Sequence, residues 1–190
     1  MITKWIEEQT FTNVGYHNQK LIQTEFESCT FLNCDFSGAN FSESDLLSCK
    51  FEDCNFSGAN FSGLGLKDVQ FVWCKLIGIS FESCSNFLFA VSFQKCSLDY
   101  SSFAGKKMKK TKFTDCSLKE VDFSESDLSM ASFDSCDLSQ SVFQLTNLEK
   151  ADFRTAMNYS IDPELNRIRK AKFSYSGVAG LLLKYNIEIE

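Results

Sequence analysis

Nine cysteines, one histidine and 25 carboxylates are the side chains of this 190-residue sequence that could house a reaction or a metal. Thiols at Cys-x2-Cys spacing would bind zinc, and a thiol beside an imidazole would be a nucleophile. The spacings found are Cys29-x4-Cys34 and Cys49-x4-Cys54, which are not those of zinc knuckles. His17 stands alone, so neither a histidine general base with a nucleophile nor a histidine-rich metal site can be assembled. No glycine-rich phosphate loop is present, and no Ser–His–Asp order can be built. The carboxylates recur with a regular spacing, as turn-compatible surface groups do, rather than as one paired acid and base. Catalysis, metals and cofactors are therefore not expected.

The spacing of the thiols leads to what must position them. Stepping by five from Leu21 gives Phe or Leu thirteen times running, to Phe81. Stepping by five from Phe93 to Phe153 gives Phe or Leu in twelve of thirteen places, with Met108 the exception. Phe and Leu are 38 of 190 residues, so chance would fill about one place in five. A period of five matches neither the helix (about 3.6) nor the strand (about 2). It requires a chain that turns once every five residues. A second inward position lies two residues earlier and is mostly small: Cys34, Ala39, Cys54, Ala59, Cys74. All nine cysteines fall in it, and Cys34, Cys54, Cys74, Cys96, Cys116 and Cys136 make one column once a two-residue shift is applied. They read as small buried hydrophobes in the reduced state. Polar residues fill the other three places. One large and one small inward residue in five describe a thin solenoid filled by side chains.

Cys34-Asp35-Phe36-Ser37-Gly38-Ala39-Asn40-Phe41-Ser42-Glu43 contains two clear copies of a motif, Ala/Cys/Ser-Asp/Asn-Leu/Phe-x-x. In this the sequence resembles the pentapeptide-repeat family over about residues 11 to 173. The resemblance implies an all-β solenoid, a right-handed quadrilateral β-helix with four repeats per coil and a short C-terminal helix cap. About seven coils at about 4.8 Å make a rod about 35 Å long. Residues 1–10, with Trp5 and Ile6, are expected to cap the first coil, 11–158 to form the β-helix, and 159–190 to hold the last coil, a helical cap and a dimerisation segment. Phe31, Phe51, Phe71, Phe93, Phe113, Phe133 and Phe153 should form a ladder of rings.

Two irregularities stand out. The frame slips by two within residues 82–92, leaving Phe87 and Phe89 either in a surface insertion or in a projecting contact loop. Residues 104–112 carry five of the 19 basic residues and put Lys106 in an inward slot, from which its ammonium should escape to water. The other lysines there read as a solvated face. After Asp162-Pro163, Ala171-Lys172-Phe173 reads as a last repeat, residues 177–186 as a short helix and 187–190 as an extended end.

Net charge is −6 with a pI near 4.9, so bulk charge repels nucleic acid and favours a basic partner. Residues 25–100 carry ten acids against four bases, and 113–153 nine against two. No apolar run is long enough to span a membrane, and the start lacks an apolar signal region, so a cytoplasmic location is expected. The tail Ile161-Asp162-Pro163-Glu164-Leu165-Asn166-Arg167-Ile168 resembles that of quinolone-resistance and microcin-immunity members. That resemblance implies a DNA-mimicking protein that binds a type II topoisomerase, DNA gyrase or topoisomerase IV, and modulates or protects it. The acidic outward residues of the Leu46/Leu66 face, Glu25, Glu27, Asp45, Asp68, Asp127 and Glu149, are the expected contacts. A homodimer through Leu181, Leu182, Leu183, Tyr185 and Ile187 is implied likewise. With one small frame shift, the chain is nearer the members without long loops. The alternative is a scaffold or protein-binding module with another partner.

The inward assignment makes a testable statement. Phe71→Ala should lower folding stability by about 3–5 kcal/mol in chemical denaturation; an unchanged midpoint would remove Phe71 from the core.

Overall fold

Most five-residue steps end in a residue with left-handed backbone. In one corner column these are Asn33 (φ 49°), Asp53 (φ 54°), Trp73 (φ 57°) and Lys95 (φ 55°). Such residues turn the chain at a cost of about 1–2 kcal/mol each for a side chain with a Cβ. The ladder between coils offsets that cost: Phe36 N–H donates to Asn55 O (2.8 Å), and Asn55 N–H to Cys34 O (3.1 Å). Four turns return the chain to its starting point one coil higher. The result is a parallel β-solenoid of about eight turns with almost no helix, in which four flat faces enclose the large inward side chains. The computed structural model describes residues 2 and 4–188.

The faces are numbered here in chain order within a coil. The first carries Phe26, Leu46 and Leu66 inward, the second Phe31, Phe51 and Phe71, the third Phe36, Phe56 and Leu76, and the fourth Phe41, Phe61 and Phe81. The second face is one continuous nine-stranded sheet running from Thr10–Thr12 to Lys172–Phe173. Behind it the expected ring ladder extends by one ring at each end, from Phe11 to Phe173. Neighbouring centroids are 4.7–5.4 Å apart and the planes are within 13° of parallel. Rings from adjoining faces meet edge to face, as Phe31 does with Phe36 at 5.4 Å. Both geometries are favoured by aromatic quadrupoles. Eight intervals of about 4.8 Å give a rod about 38 Å long, slightly longer than expected.

The expected separate cap at 1–10 is replaced by part of the first coil. Lys4–Glu7 is a strand paired in parallel with Thr24–Glu27, and Ile6 aligns with Phe26. Ile6, Phe11, Tyr16 and Leu21 continue the five-residue step backwards and are only partly buried, because no coil covers them. Trp5 points outward and is exposed. Met1 and Thr3 of that expected cap lie outside the described residues.

On the first face the sheet has only four strands, Lys4–Glu7, Thr24–Glu27, Asp45–Leu47 and Gly65–Lys67. It stops at the frame shift. Ser85 N–H still reaches Leu64 O (2.9 Å) and Ala90 N–H reaches Leu66 O (2.9 Å), so residues 86–89 bulge between two regular anchors. The bulge divides its side chains. Phe87 is 67% exposed and Leu88 65%, whereas Phe89 is only 9% exposed and occupies the large inward slot. Phe89 is therefore core rather than a contact residue.

Lys106 also departs from expectation. It is 1% exposed, and its ammonium donates to Cys84 O (2.6 Å) and Asn86 Oδ1 (2.8 Å), with the Phe89 ring centroid 5.4 Å away. The two irregularities are one device. The bulge supplies the acceptors, one coil earlier, that a buried ammonium requires. Burial pulls the Lys106 pKa down.

At the C-terminus the expected short helix is two 3-10 turns, Val178–Leu181 and Leu183–Tyr185. They fold back on the last coil, where Ile161 N–H donates to Gly180 O (3.0 Å) and Lys184 bridges Asp162 and Glu164 (both 2.7 Å). The approach needs a bare α-carbon, since a Cβ on Gly180 would come within 2.4 Å of Tyr159 O. Of the expected extended end, Ile187 and Glu188 form no regular element, and residues 189–190 lie outside the described residues.

Lys106→Met fills the same slot but leaves both acceptors without a donor. It should cost about 1–3 kcal/mol in urea denaturation; a neutral or stabilising effect would show that the ammonium is not held as described.

Candidate functional surface

The inward small slot is more than a steric gap. Its polar occupants donate to the carbonyl of the large residue one coil below: Cys49 Sγ to Phe26 O (3.2 Å), Ser101 Oγ to Leu76 O (2.8 Å), Thr146 Oγ1 to Phe123 O (2.9 Å). Cys54 and Cys74 do the same to Phe31 and Phe51 (both 3.5 Å). All nine thiols are free and buried. Burial pushes the Cys49 and Cys84 thiols up to about 12 and raises Cys74 still further. These three are protonated at neutral pH, the opposite of what nucleophiles or metal ligands require, whereas hydrogen bonds from neighbouring thiols pull Cys54 and Cys116 downward. Among the described residues no three His, Cys, Asp or Glu side chains are grouped to hold a metal.

The outward carboxylates are largely used by the turns. Asp35 accepts from Ser37 N–H (3.0 Å) and Ser37 Oγ (2.6 Å); Asp122, Asp127 and Asp137 accept from the N–H groups of Ser124, Ser129 and Ser139. Hydrogen bonds from Ser37 hold the Asp35 carboxyl below its usual range. At Asp137 burial acts upward, but donors from Ser139, Asn158 and Lys119 outweigh it and set the pKa at about 2. A general acid at neutral pH needs a raised pKa, and the carboxyls that shift here shift downward. His17 is exposed and bonded to Ser37 Oγ (2.8 Å) and Asn18 Nδ2 (2.7 Å). A recess of about 500 Å³ beside Tyr159, Gly177, Gly180 and Leu183 contains no carboxylate, thiol or imidazole.

The expected acidic stripe of the first face does not form as one unit. Glu25 aligns with Asp45 on one sheet, with Glu27 two residues on. Asp45 is paired with Lys67 (2.7 Å). Asp68 stands at a corner and shares a recess with Lys109 and Lys110. Asp127 and Glu149 lie beyond the bulge, where Asp127 is bridged to Lys107 through the backbone and Glu149 is paired with Arg167 (2.8 Å). The twenty-residue period already sets the Lys-rich segment on this face; the structure adds the pairing of Glu149 with Arg167 and the bridge between Asp127 and Lys107.

The excess negative charge lies elsewhere. The third face carries Asp35, Asp99, Glu120 and Asp137 against Lys75 and Lys119, and the fourth Glu43, Glu82, Asp122 and Glu125 against Lys20. The second face carries equal numbers of acids and bases. Glu120 and Glu125 project from left-handed corners. This clustering was open to sequence reasoning, because a twenty-residue period sorts outward residues by face. Of the expected dimer residues, Leu181 packs on the core and Leu182 is partly buried, whereas Leu183, Tyr185 and Ile187 are exposed.

A filled parallel solenoid whose distinguishing chemistry is the pattern of side chains on four flat outer faces belongs to the structural and interaction class of fold. The family model for the pentapeptide repeat region matches residues 24–103, 44–123 and 80–157, and the chain belongs to that family. Its structure is similar to that of trypsin-treated QnrB1, described as a plasmid-mediated fluoroquinolone resistance protein. Identity is 19%, with 98% of this chain and 97% of that one covered, at a TM-score of 0.56. It is also similar to HetL, described as involved in heterocyst differentiation regulation, from the cyanobacterium Nostoc sp. strain PCC 7120. There identity is 14%, coverage is 92% and 89%, and the TM-score is 0.59. No curated protein matches the chain. No helix among the described residues is long and apolar enough to cross a membrane.

The enclosed thiols predict their own silence. A thiol reagent such as DTNB should modify none of the nine cysteines in the native state and all nine after denaturation. Rapid modification of the native protein would contradict the packing.

Proposed function

We propose that the chain is a non-enzymatic binding rod that presents its acidic third and fourth faces to a basic protein surface of the kind that holds DNA. A type II topoisomerase, DNA gyrase or topoisomerase IV, is the partner. The observation that carries this reading is the concentration of excess negative charge on two adjoining faces, Glu43, Glu82, Glu120, Asp122 and Glu125 among its sources. A rigid array of carboxylates at regular spacing can take the place of phosphates in a positively charged groove. The likeness to QnrB1 supports the choice of partner. Modulation of the enzyme then follows from occupancy of its DNA site.

A second reading, a scaffold for another partner, is favoured by one observation. The cations of the first face beyond the bulge have no part in mimicking DNA. The likeness to HetL, described in terms of differentiation regulation, supports it too.

Supercoiling by gyrase with added protein, with and without a quinolone, separates the two. The mimic should inhibit supercoiling or relieve the drug at micromolar concentration, and the effect should fade as salt rises. Glu120→Lys with Glu125→Lys should weaken it about tenfold, equivalent to about 1.4 kcal/mol. No effect in either assay leaves the scaffold reading.

A further inference from the structure

The first face has a charge pattern that no single-signed partner fits. It has nine levels, marked by Trp5, Glu25, Asp45, Gly65, the 86–89 bulge, Lys107, Asp127, Asn147 and Arg167. Before the bulge it carries Glu7, Glu8, Glu25, Glu27, Asp45 and Asp68 against Lys4 and Lys67. After the bulge it carries Lys107, Lys109 and Lys110, then Lys150, Arg167, Arg169 and Lys170, against Asp127 and Glu149. The two halves have net charges of opposite sign. Among the described residues Glu7, Glu8, Glu25 and Glu27 form no ion pair, nor do Lys107, Lys109, Lys110, Lys150, Arg169 and Lys170. At the fifth level, midway, stand Phe87 and Leu88, two exposed apolar side chains on a solvated face.

We propose that this face pairs with the same face of a second copy of the chain, antiparallel, about a two-fold axis through the Phe87–Leu88 bulge. A polyanion or an anionic membrane would be repelled by the acidic half, and a basic groove by the cationic half. Only a surface with the reverse distribution complements it, and a two-fold rotation of the face supplies one. Level one then meets level nine, setting Glu7 and Glu8 against Arg169 and Lys170. Glu25 and Glu27 come level with Lys150 but also with Glu149, Asp45 with Asp127, and Lys67 and Asp68 with Lys107, Lys109 and Lys110, so the attraction is concentrated at the two ends. Phe87 and Leu88 meet their own copies at the axis, an apolar centre within a charged rim. A face about 38 Å by about 15 Å offers roughly 600 Å² per copy, below the ~800 Å² of a standard interface. The dimer is therefore weak and sensitive to salt. It leaves the third and fourth faces open, so it stands independently of the proposed partner.

Sedimentation velocity at tens of micromolar, at about 0.01 M and about 1 M salt, tests this, because the screening length falls from about 30 Å to about 3 Å between them. The protein should be dimeric at low salt and monomeric at high salt. Glu25→Lys with Glu27→Lys should be monomeric at low salt, as should Lys107→Glu with Lys109→Glu and Arg169→Glu. An equimolar mixture of the two variants should form a 1:1 dimer. Melting curves confirm that each variant folds. Because the native thiols are buried, Leu88→Cys should form an intermolecular disulfide on mild oxidation, whereas Gln140→Cys on the opposite face should not. A wild-type monomer at low salt overturns the proposal. So does a dimer that ignores both charge sets, or one lost only with Leu183→Asp and Ile187→Asp.

Discussion

Twenty residues must bring the chain back to the same position, because every coil is hydrogen-bonded in register to the next. That closure condition governs the rest of the molecule. It fixes a left-handed corner at most of the five-residue steps, whatever side chain sits there, so Trp73 and Lys95 adopt the backbone that Asn33 and Asp53 adopt more readily. It aligns like with like, so phenyl rings stack on phenyl rings behind the second face. It also leaves the large residue's carbonyl where a small donor on the next coil can reach it. That explains why Cys, Ser and Thr are as much at home in the small slot as Ala.

The architecture was written plainly in the sequence because closure repeats a single local rule. Phe at 31, 51 and 71, and again at 93, 113 and 133, reports both the coil length and the two-residue slip. The elements that escaped are those where the rule is bent by a distant partner. In the sequence Lys106 reads as a misplaced charge; in the structure Cys84 O and Asn86 Oδ1, twenty-odd residues earlier, receive it. Phe89 and Leu88 are neighbours in a slipped frame, and only the anchors at Ser85 and Ala90 decide which enters the core. Ile6 keeps the step but is neither Phe nor Leu, and Lys4, two residues earlier, does not match the small inward slot.

The binding surface was less legible than the fold. Outward positions follow no packing rule, so their types record neither burial nor stability. Asp127 and Glu149 belonged with Glu25 and Glu27 by repeat position and sign. In three dimensions they stand among Lys107, Lys150 and Arg167, and Glu149 is already paired. Many aspartates that suggest a mimicked phosphate also accept from a turn N–H, which fixes them in place and, at Asp35 and Asp137, lowers the carboxyl pKa. A regular array of fixed charges is therefore a by-product of how the corners are built, and specificity rests on which faces receive the excess.

The bulge has a mechanical consequence. One side of the rod is an unbroken ribbon of nine strands, whereas the side next to it has a four-strand ribbon that ends at Gly65–Lys67 and resumes as single bridges. A shaft reinforced in this way has unequal stiffness. At the fifth coil the first face is held by the Ser85 and Ala90 anchors and the Lys106 tether, while the nine-stranded ribbon beside it runs through unbroken.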